Sequence, residues 1–333
     1  MLSIVIVNYN GAGLVADCIR TLYQYNDISD MEIIVADNAS TDNSRDTITR
    51  LFPAVHWIDM GYNAGFARGN NAGMKAANGE IILLLNPDTI SIDNSINRCH
   101  YALQQTEYVA AGVQLLDEQK QPQISGSYFV KGGLNHLLPI PYWGGFIRWL
   151  GYQSKTKIPS VKNAKTIQEV DWISGSFLMV KKEAIEKAGM MDDDFFLYGE
   201  EVEWCSRLKK AGRLCLFGDM QIIHLEGVSI NKSQGIQDRG YYNLYDKKGL
   251  QLMVSNHLRV RKQYGAGWFL FLLLNYTWGV FFFWLCSTLY HLFTLSNPAR
   301  EWKKVGQMGA NVLRVWALSP GILANKPHFY KMM

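Results

Sequence analysis

The chain has 333 residues, of which 48% are hydrophobic and 19% charged, and its formal net charge is +4. That length holds one large domain or two smaller ones with ample core, and so modest a charge gives no reason to expect nucleic acid as a partner. The 5 cysteines are scattered and lack Cys-x-x-Cys spacing, which argues against a disulfide framework and a zinc site and fits a reducing, cytoplasmic setting. The start, Met1-Leu2-Ser3 followed by a short apolar run to Asn8, lacks the basic residues and apolar length of a signal peptide, so the catalytic part is expected to stay inside.

In chain order, residues 1–90 alternate between β-rich runs and helical patterns. Leu2 to Val7 reads as a strand, and Gly13 to Tyr25 as a helix with Leu14, Val15, Cys18, Ile19 and Leu22 on its apolar side. Strands follow at Ile33 to Ala36 and Val55 to Met60, then a helix at Gly65 to Ala77 and a strand at Glu80 to Leu85. The run Ile81 to Leu85 is too short for a bundle helix and suits a strand buried on both faces. Pro87 cannot continue a central ladder, so Asp88 falls just past the carboxyl end, where open α/β sheets bind ligands. Strand and helix at this spacing imply a mostly parallel, right-handed wound sheet.

Polar residues gather where these strands end. Asn8-Tyr9-Asn10-Gly11 is explicable by turn chemistry alone. In Asp37-Asn38-Ala39-Ser40-Thr41-Asp42 one Asp or Ser is expected to cap the next helix, which leaves the others to explain. Gly61 to Gly73 is glycine-rich where backbone must approach closely, and Arg68 with the paired Asn70 and Asn71 suits a diphosphate. The stretch is neither a Walker A loop nor the Gly-x-Gly-x-x-Gly of a dinucleotide fold.

Val109 to Leu116 reads as another strand, and Gly126 to Gly151 as a long irregular loop or lid facing acceptor or membrane. Val170 to Val180 looks like a turn feeding a buried strand, and Lys182 to Ala188 a helix ending at Gly189. Glu201 begins a helix whose apolar positions Val202, Cys205, Leu208 and Ala211 share one face, with Lys209, Lys210 and Gly212 at its far end.

Together Asn8-Tyr9-Asn10, Asp37 to Asp42, Asn63 to Asn70, Asn86-Pro87-Asp88, Trp172 to Ser176, Phe196 to Glu201 and His224 resemble family 2 glycosyltransferases, and within them the bacterial rhamnosyltransferases of cell-surface polysaccharide assembly. The resemblance runs from Leu2 to about Lys262. It implies an α/β GT-A fold (Rossmann-like, binding a nucleotide-diphospho-sugar), a nucleotide-sugar donor, Mg2+ or Mn2+, and inverting transfer. By that resemblance Asn8, Tyr9, Asn10, Asp37, Asn63, Arg68, Asn86 and Asp88 border the donor. Trp172, Gly175 and Glu200 border the acceptor, Asp88 and His224 hold the metal, and Glu201 is the catalytic base. Glu201 stands where the family usually has aspartate; its carboxylate reaches one methylene further, and a misplacement of about 1 Å can cost 10²-fold. Asp194 and Glu203 are the alternative bases.

From 263 to 299 there is no Lys, Arg, Asp or Glu, while Arg259, Arg261 and Lys262 precede the segment and Arg300, Lys303 and Lys304 follow it. It is long enough to cross a core of ~30 Å, but basic flanks on both sides favour a re-entrant hairpin or in-plane anchor, broken near Asn275 to Gly279. A single span and a buried core helix are the alternatives. Trp302 to Trp316 reads as an amphipathic surface helix with an anionic membrane as partner. The expected organisation is a catalytic domain at 1–235 (nucleotide half 1–90, acceptor half 91–235), a connecting helical segment at 236–265, the apolar membrane-associating segment at 266–296 and a basic amphipathic segment at 297–333.

The expected function is transfer of L-rhamnose from dTDP-rhamnose to a lipid-linked glycan at the cytoplasmic face of the membrane, by a peripheral or re-entrant protein that a homo-oligomer would also suit. The alternatives are a UDP-hexose donor and a catalytically lapsed glycan-binding or scaffold protein. A nucleotidyltransferase would need a Gly-rich triphosphate loop after Val7, and none follows.

Overall fold

The computed structural model describes residues 1–153, 159–225 and 243–333. Glu226 and Gly227 of the histidine motif, the expected boundary near 235 and the connecting residues 236–242 lie outside these. The chain divides into two units: Met1–Tyr128, Ser160–Asp192 and Glu201–Arg239 form the first, and Phe129–Pro159, Asp193–Glu200 and Gly240–Met333 the second.

In the first unit β1 (Leu2–Asn8), β2 (Met31–Asp37), β3 (His56–Asp59) and β4 (Ile81–Leu85) pair in parallel, with α1 (Ala12–Tyr25), α2 (Ser44–Leu51) and α3 (Gly65–Ala76) between them in sequence. Every residue of β4 is buried, as its unbroken apolar run requires. The chain winds from β1 through β2 to β3 and then crosses to β4 on the other side of β1, so the strand order reverses there. Such a reversal opens a crevice at the carboxyl ends of the strands. It lies where Asn8 faces Asp37 in register.

Beyond β4 the sheet is mixed. After β5 (Thr89–Ile90) and α4 (Ser95–Gln104) comes β6 (Ala110–Leu116), and β11 (Phe177–Lys181) sits antiparallel between β4 and β6. β6 runs parallel to β12 (Leu214–His224), which pairs antiparallel with β5 and with β9 (Ile167–Val170). Among the described residues nine strands make this sheet, and β10 (Trp172–Ile173), β7 (Gly126–Ser127) and β8 (Ser160–Val161) a smaller one. α6 (Lys182–Ala188) and α7 (Glu200–Ala211) complete the unit; Trp204 of α7 is fully buried and its indole nitrogen donates to the Gly189 carbonyl at 2.7 Å.

The glycines of α3 have a packing cause. A Cβ at Gly73 would lie 2.2 Å from Val5 Cγ1, and one at Gly69 2.9 Å from Val7 Cγ1, so their absence lets the helix rest directly on β1.

In the second unit a 3-10 segment (Lys131–Leu137) leads to α5 (Trp143–Gln153). This corrects the expectation of one irregular loop from 126 to 151: Gly132, Gly133, Pro139 and Pro141 lie before α5, while Gly144 is within it, where a Cβ would lie 2.0 Å from the Leu138 carbonyl oxygen and only glycine fits. Three helices follow: α8 (Lys247–Tyr264), α9 (Ala266–Thr294) and α10 (Ala299–Leu323).

α9 corrects the hairpin. It is one continuous helix through Asn275 and Gly279, which excludes a re-entrant turn within it. Asn275 donates to the Phe271 carbonyl one turn back, at 2.8 Å, and Gly279 admits Ile140 Cγ2, which would lie 2.5 Å from a Cβ there. The helix runs on through both residues. Its buried stripe is Phe269, Leu272, Leu273, Tyr276, Gly279, Phe283 and Ser287; Leu270, Phe271, Leu274, Trp278, Phe281 and Trp284 are exposed. Among the described residues it is the one helix long and apolar enough to cross a membrane.

Candidate active site

The carboxyl ends of β1 and β2 are tied together by side chains. Asn8 is buried and donates through Nδ2 to Asp37 Oδ1 at 2.7 Å and to Ser40 Oγ at 3.1 Å. Asp37, also buried, further accepts from the Ser40 backbone N–H at 2.9 Å and the Ser40 hydroxyl at 2.6 Å. A carboxylate offers about four lone-pair sites. Three contacts of this kind shape the loop and leave acceptor capacity on the carboxylate. Asn10, at φ +52°, accepts from Thr41 N–H at 2.7 Å, and Tyr9 beside it is exposed. Asp42 accepts from the Ser44 backbone N–H at 3.1 Å and from its hydroxyl at the start of α2, but the N-cap is Asn43 and it makes no side-chain cap hydrogen bond, so the expected Asp or Ser cap is corrected to an Asx turn.

The loop before α3 is organised by Asn38, which donates to the Gly65 carbonyl at 3.0 Å and accepts from Ala64 N–H at 3.2 Å. Asn63 Oδ1 accepts from Gly65 N–H at 3.2 Å, and the Arg68 guanidinium donates to the Tyr62 hydroxyl at 3.2 Å. The paired asparagines do not serve a diphosphate: both are buried, Asn70 donates to the Phe66 carbonyl, and Asn71 clasps the backbone of Met191, donating at 2.8 Å and accepting at 3.0 Å. Their amides match peptide groups, and the fold uses them so.

After β4 the turn Asn86-Pro87-Asp88 closes through Thr89 N–H to the Asn86 carbonyl at 3.2 Å. Asn86 N–H donates to the Ser176 carbonyl at 3.0 Å, and Leu225 N–H to the Asp88 carbonyl at 2.9 Å. Pairing of Thr89 with His224 brings the end of β12 beside the turn. Asp88 is 1% exposed, and its Oδ1 lies 3.5 Å from His224 Nε2. Asn86 Oδ1 is buried and has no hydrogen-bond partner among the described residues. Under the turn Cys18 packs against Thr89, and its thiol is pushed up to about 12 chiefly by burial, with the Asp88 charge adding; it stays protonated.

Gly175 follows β10 in the turn to β11. A Cβ there would lie 3.4 Å from both Glu201 Cγ and Phe66 Cε1, so a residue without a side chain lets the first turn of α7 come close to that of α3. Trp172 pairs across β10 and β7 with Ser127, and its indole nitrogen is buried with no hydrogen-bond partner among the described residues.

Both alternative bases are held in ion pairs. Glu203 is locked by Arg207, whose Nε and Nη2 both lie 2.8 Å from its carboxylate oxygens. In the second unit Asp194 takes the Lys262 ammonium at 2.7 Å and His328 N–H at 2.8 Å. Charges held in this way are structural. Glu200 belongs to that second unit and is buried; Tyr198 and Gly199 before it hold φ +71° and +82°, the left-handed region that a tyrosine rarely enters.

No group of three His, Cys, Asp or Glu side chains exists among the described residues, so a cage made wholly of such side chains does not fit. The Asp88 carboxylate and His224 Nε2, 3.5 Å apart, fit a hard cation that would take its remaining ligands from diphosphate and water, and the orphaned Asn86 Oδ1 belongs to the same turn as Asp88.

Sequence reasoning missed Gln123, which meets both the ring and the main chain of His224, and the anchoring role of Ser176. Gln123 lies in a polar stretch with no motif, and only strand pairing brings it there.

This geometry belongs to a known family. The model of glycosyl transferase family 2 matches residues 3–172, and the chain belongs to that family. A low-salt glycan biosynthesis hexosyltransferase of Haloferax volcanii is 28% identical over 63% of this chain and 62% of its own length. An N-acetylglucosaminyl-diphospho-decaprenol L-rhamnosyltransferase of Mycobacterium tuberculosis is 26% identical over 56% of this chain and 64% of its own. The chain thus covers less than two thirds of either relative. A mannosyltransferase of Pyrobaculum calidifontis, solved with GDP-Man and Mn2+, superposes with a TM-score of 0.53 at 15% identity, covering 96% of this chain and 86% of that one. That likeness is one of fold, and it agrees with the GT-A architecture.

Proposed function

We propose that the protein is an inverting, metal-dependent glycosyltransferase that moves L-rhamnose from dTDP-rhamnose to a lipid-linked glycan at the cytoplasmic face of a membrane. The supporting observation is the pairing of Asp88 with His224 at 3.5 Å just past the carboxyl end of β4. The rhamnosyltransferase name carried by one relative supports the donor sugar, and its decaprenol-linked substrate supports the acceptor class.

In this reading Asn8, Tyr9, Asn10 and Asp37 border the base and ribose, with Asn63 and Arg68 nearer the diphosphate. Asp88 and His224 would hold Mg2+ or Mn2+, with Asn86 bordering the donor beside them. When bound, the cation supplies a Lewis acid that neutralises charge building on the leaving diphosphate. Glu201 takes the proton of the attacking acceptor hydroxyl, and Trp172, Gly175 and Glu200 border the acceptor. The residues of 1–235 would supply this chemistry and the C-terminal part the attachment.

For that attachment we favour an in-plane anchor. A helix apolar all round needs cover on every side, yet only one stripe of α9 is covered. A chain of rings continues from it onto α5, half-buried at Phe282 and Trp143 and exposed at Phe146 and Trp149: Trp149 stacks on Phe146 at 5.9 Å, Phe146 on Trp143 at 5.5 Å, and Trp143 meets Phe282 edge-on at 5.5 Å. Aromatic side chains of this kind belong at a bilayer interface, and exposed Arg148, Arg300, Lys303 and Arg314 would meet anionic headgroups.

Glu201→Gln tests the chemistry. The variant is expected to bind donor as wild type does and to transfer 10²–10⁴-fold more slowly. Wild-type turnover would remove Glu201 from its role.

A further inference from the structure

We infer that Gln123 is a positioning residue: it holds His224 in the tautomer that carries its proton on Nδ1, and so presents the Nε2 lone pair to a cation shared with Asp88. The inference rests on the metal reading above.

Hydrogen-bond logic carries it. Gln123 Nε2 lies 3.0 Å from the His224 carbonyl oxygen. A carbonyl only accepts, so the amide must turn its NH2 towards it, which leaves Gln123 Oε1 facing His224 Nδ1 at 3.1 Å. That oxygen also only accepts. Nδ1 must therefore donate, and a neutral ring that is protonated at Nδ1 carries its lone pair at Nε2.

Gln123 is not free to reverse this arrangement. Its backbone N–H donates to the Leu115 carbonyl at 2.9 Å, and its own carbonyl accepts from Gln114 Nε2 at 3.0 Å, both on β6 alongside β12. On the opposite side of the ring Nε2 faces Asp88 Oδ1 at 3.5 Å and Ser176 Oγ at 3.1 Å. An ionised carboxylate has no proton to offer a lone pair. The Ser176 hydroxyl can donate there when no cation is bound, and Asn86 Nδ2, 3.4 Å from that hydroxyl, links it back to the turn. A cation held by Nε2 and the carboxylate would draw on both acceptors, and histidines that ligate metals commonly have their other ring nitrogen held in this way.

The test uses the full chain in detergent, with Mn2+ alone as probe. Free Mn2+ is titrated by electron paramagnetic resonance, and 15N-histidine spectra report the tautomer, with His224 assigned by its loss in His224→Asn. Gln123→Leu is expected to weaken Mn2+ binding 10–100-fold and to leave His224 as a tautomer mixture. Gln123→Glu keeps an acceptor opposite Nδ1 and should bind within a few-fold of wild type. The role of Gln123 is overturned if Gln123→Leu binds Mn2+ as tightly as wild type, or if wild-type His224 carries its proton on Nε2. Wild-type protein that binds no Mn2+ overturns the metal reading itself, and with it the purpose given to the tautomer.

Discussion

Gly73→Ala separates two explanations of the glycine-rich stretch. The new methyl would sit 2.2 Å from Val5 Cγ1 and 3.0 Å from Cγ2, against ~3.5–4.0 Å for relaxed carbon contacts. Val5 is fully buried and paired on both sides, with Ile34 and Leu84, so it cannot turn away without leaving its rotamer. Overpacking of this kind costs ~1–3 kcal/mol, and an overlap this deep belongs at the upper end. Alanine recovers about 1 kcal/mol of helix propensity, so the net loss is about 2 kcal/mol. For a unit of roughly 150–250 residues that is a fall in Tm of ~4–8 °C, read by circular dichroism. Adding Val5→Ala should return part of the loss through a coupling of ~0.5–3 kcal/mol. Donor affinity measured by calorimetry should not change. An unshifted Tm with weakened donor binding would refute the packing argument and return the glycines to the phosphates.

Asn71→Leu should destabilise the first unit by roughly 1–3 kcal/mol for each Met191 backbone group left unpaired, with donor affinity intact; lost affinity at unchanged Tm would restore Asn71 to the donor site. Replacing Phe146 and Trp149 together by serine removes about 1.5–3 kcal/mol of burial for each ring that enters the bilayer, so partitioning onto anionic vesicles should fall by ~10²-fold or more. Unchanged co-sedimentation would dissociate α5 from the membrane surface.

The strands and helices up to Leu85 were legible because each carries its own period and its own stop. Pro87 forbids β4 from running on, and the strand ends at Leu85. What lay beyond was pairing between distant segments. Nothing in Phe177 to Lys181 says that it runs antiparallel between β4 and β6. The site was legible as a set of strand ends, but the division of labour within it was not. The asparagines of α3 look like ligand groups in sequence, and their hydrogen bonds go to backbone carbonyls and to Met191. Gln123 looks like loop composition, and a strand pairing decides that it meets His224. The hairpin expected in the apolar segment failed because Asn275 and Gly279 weaken a helix only when nothing receives them. Here the Phe271 carbonyl accepts from Asn275, and Ile140 fills the space beside Gly279.

The most direct test of the central claim is calorimetric titration of the full chain with dTDP-rhamnose, UDP-glucose, UDP-galactose and GDP-mannose, with and without Mn2+. Saturable binding of dTDP-rhamnose that needs Mn2+ and disappears in Asp88→Ala is the predicted result. Binding of none of the four at millimolar concentration, or equal binding without metal, would contradict it.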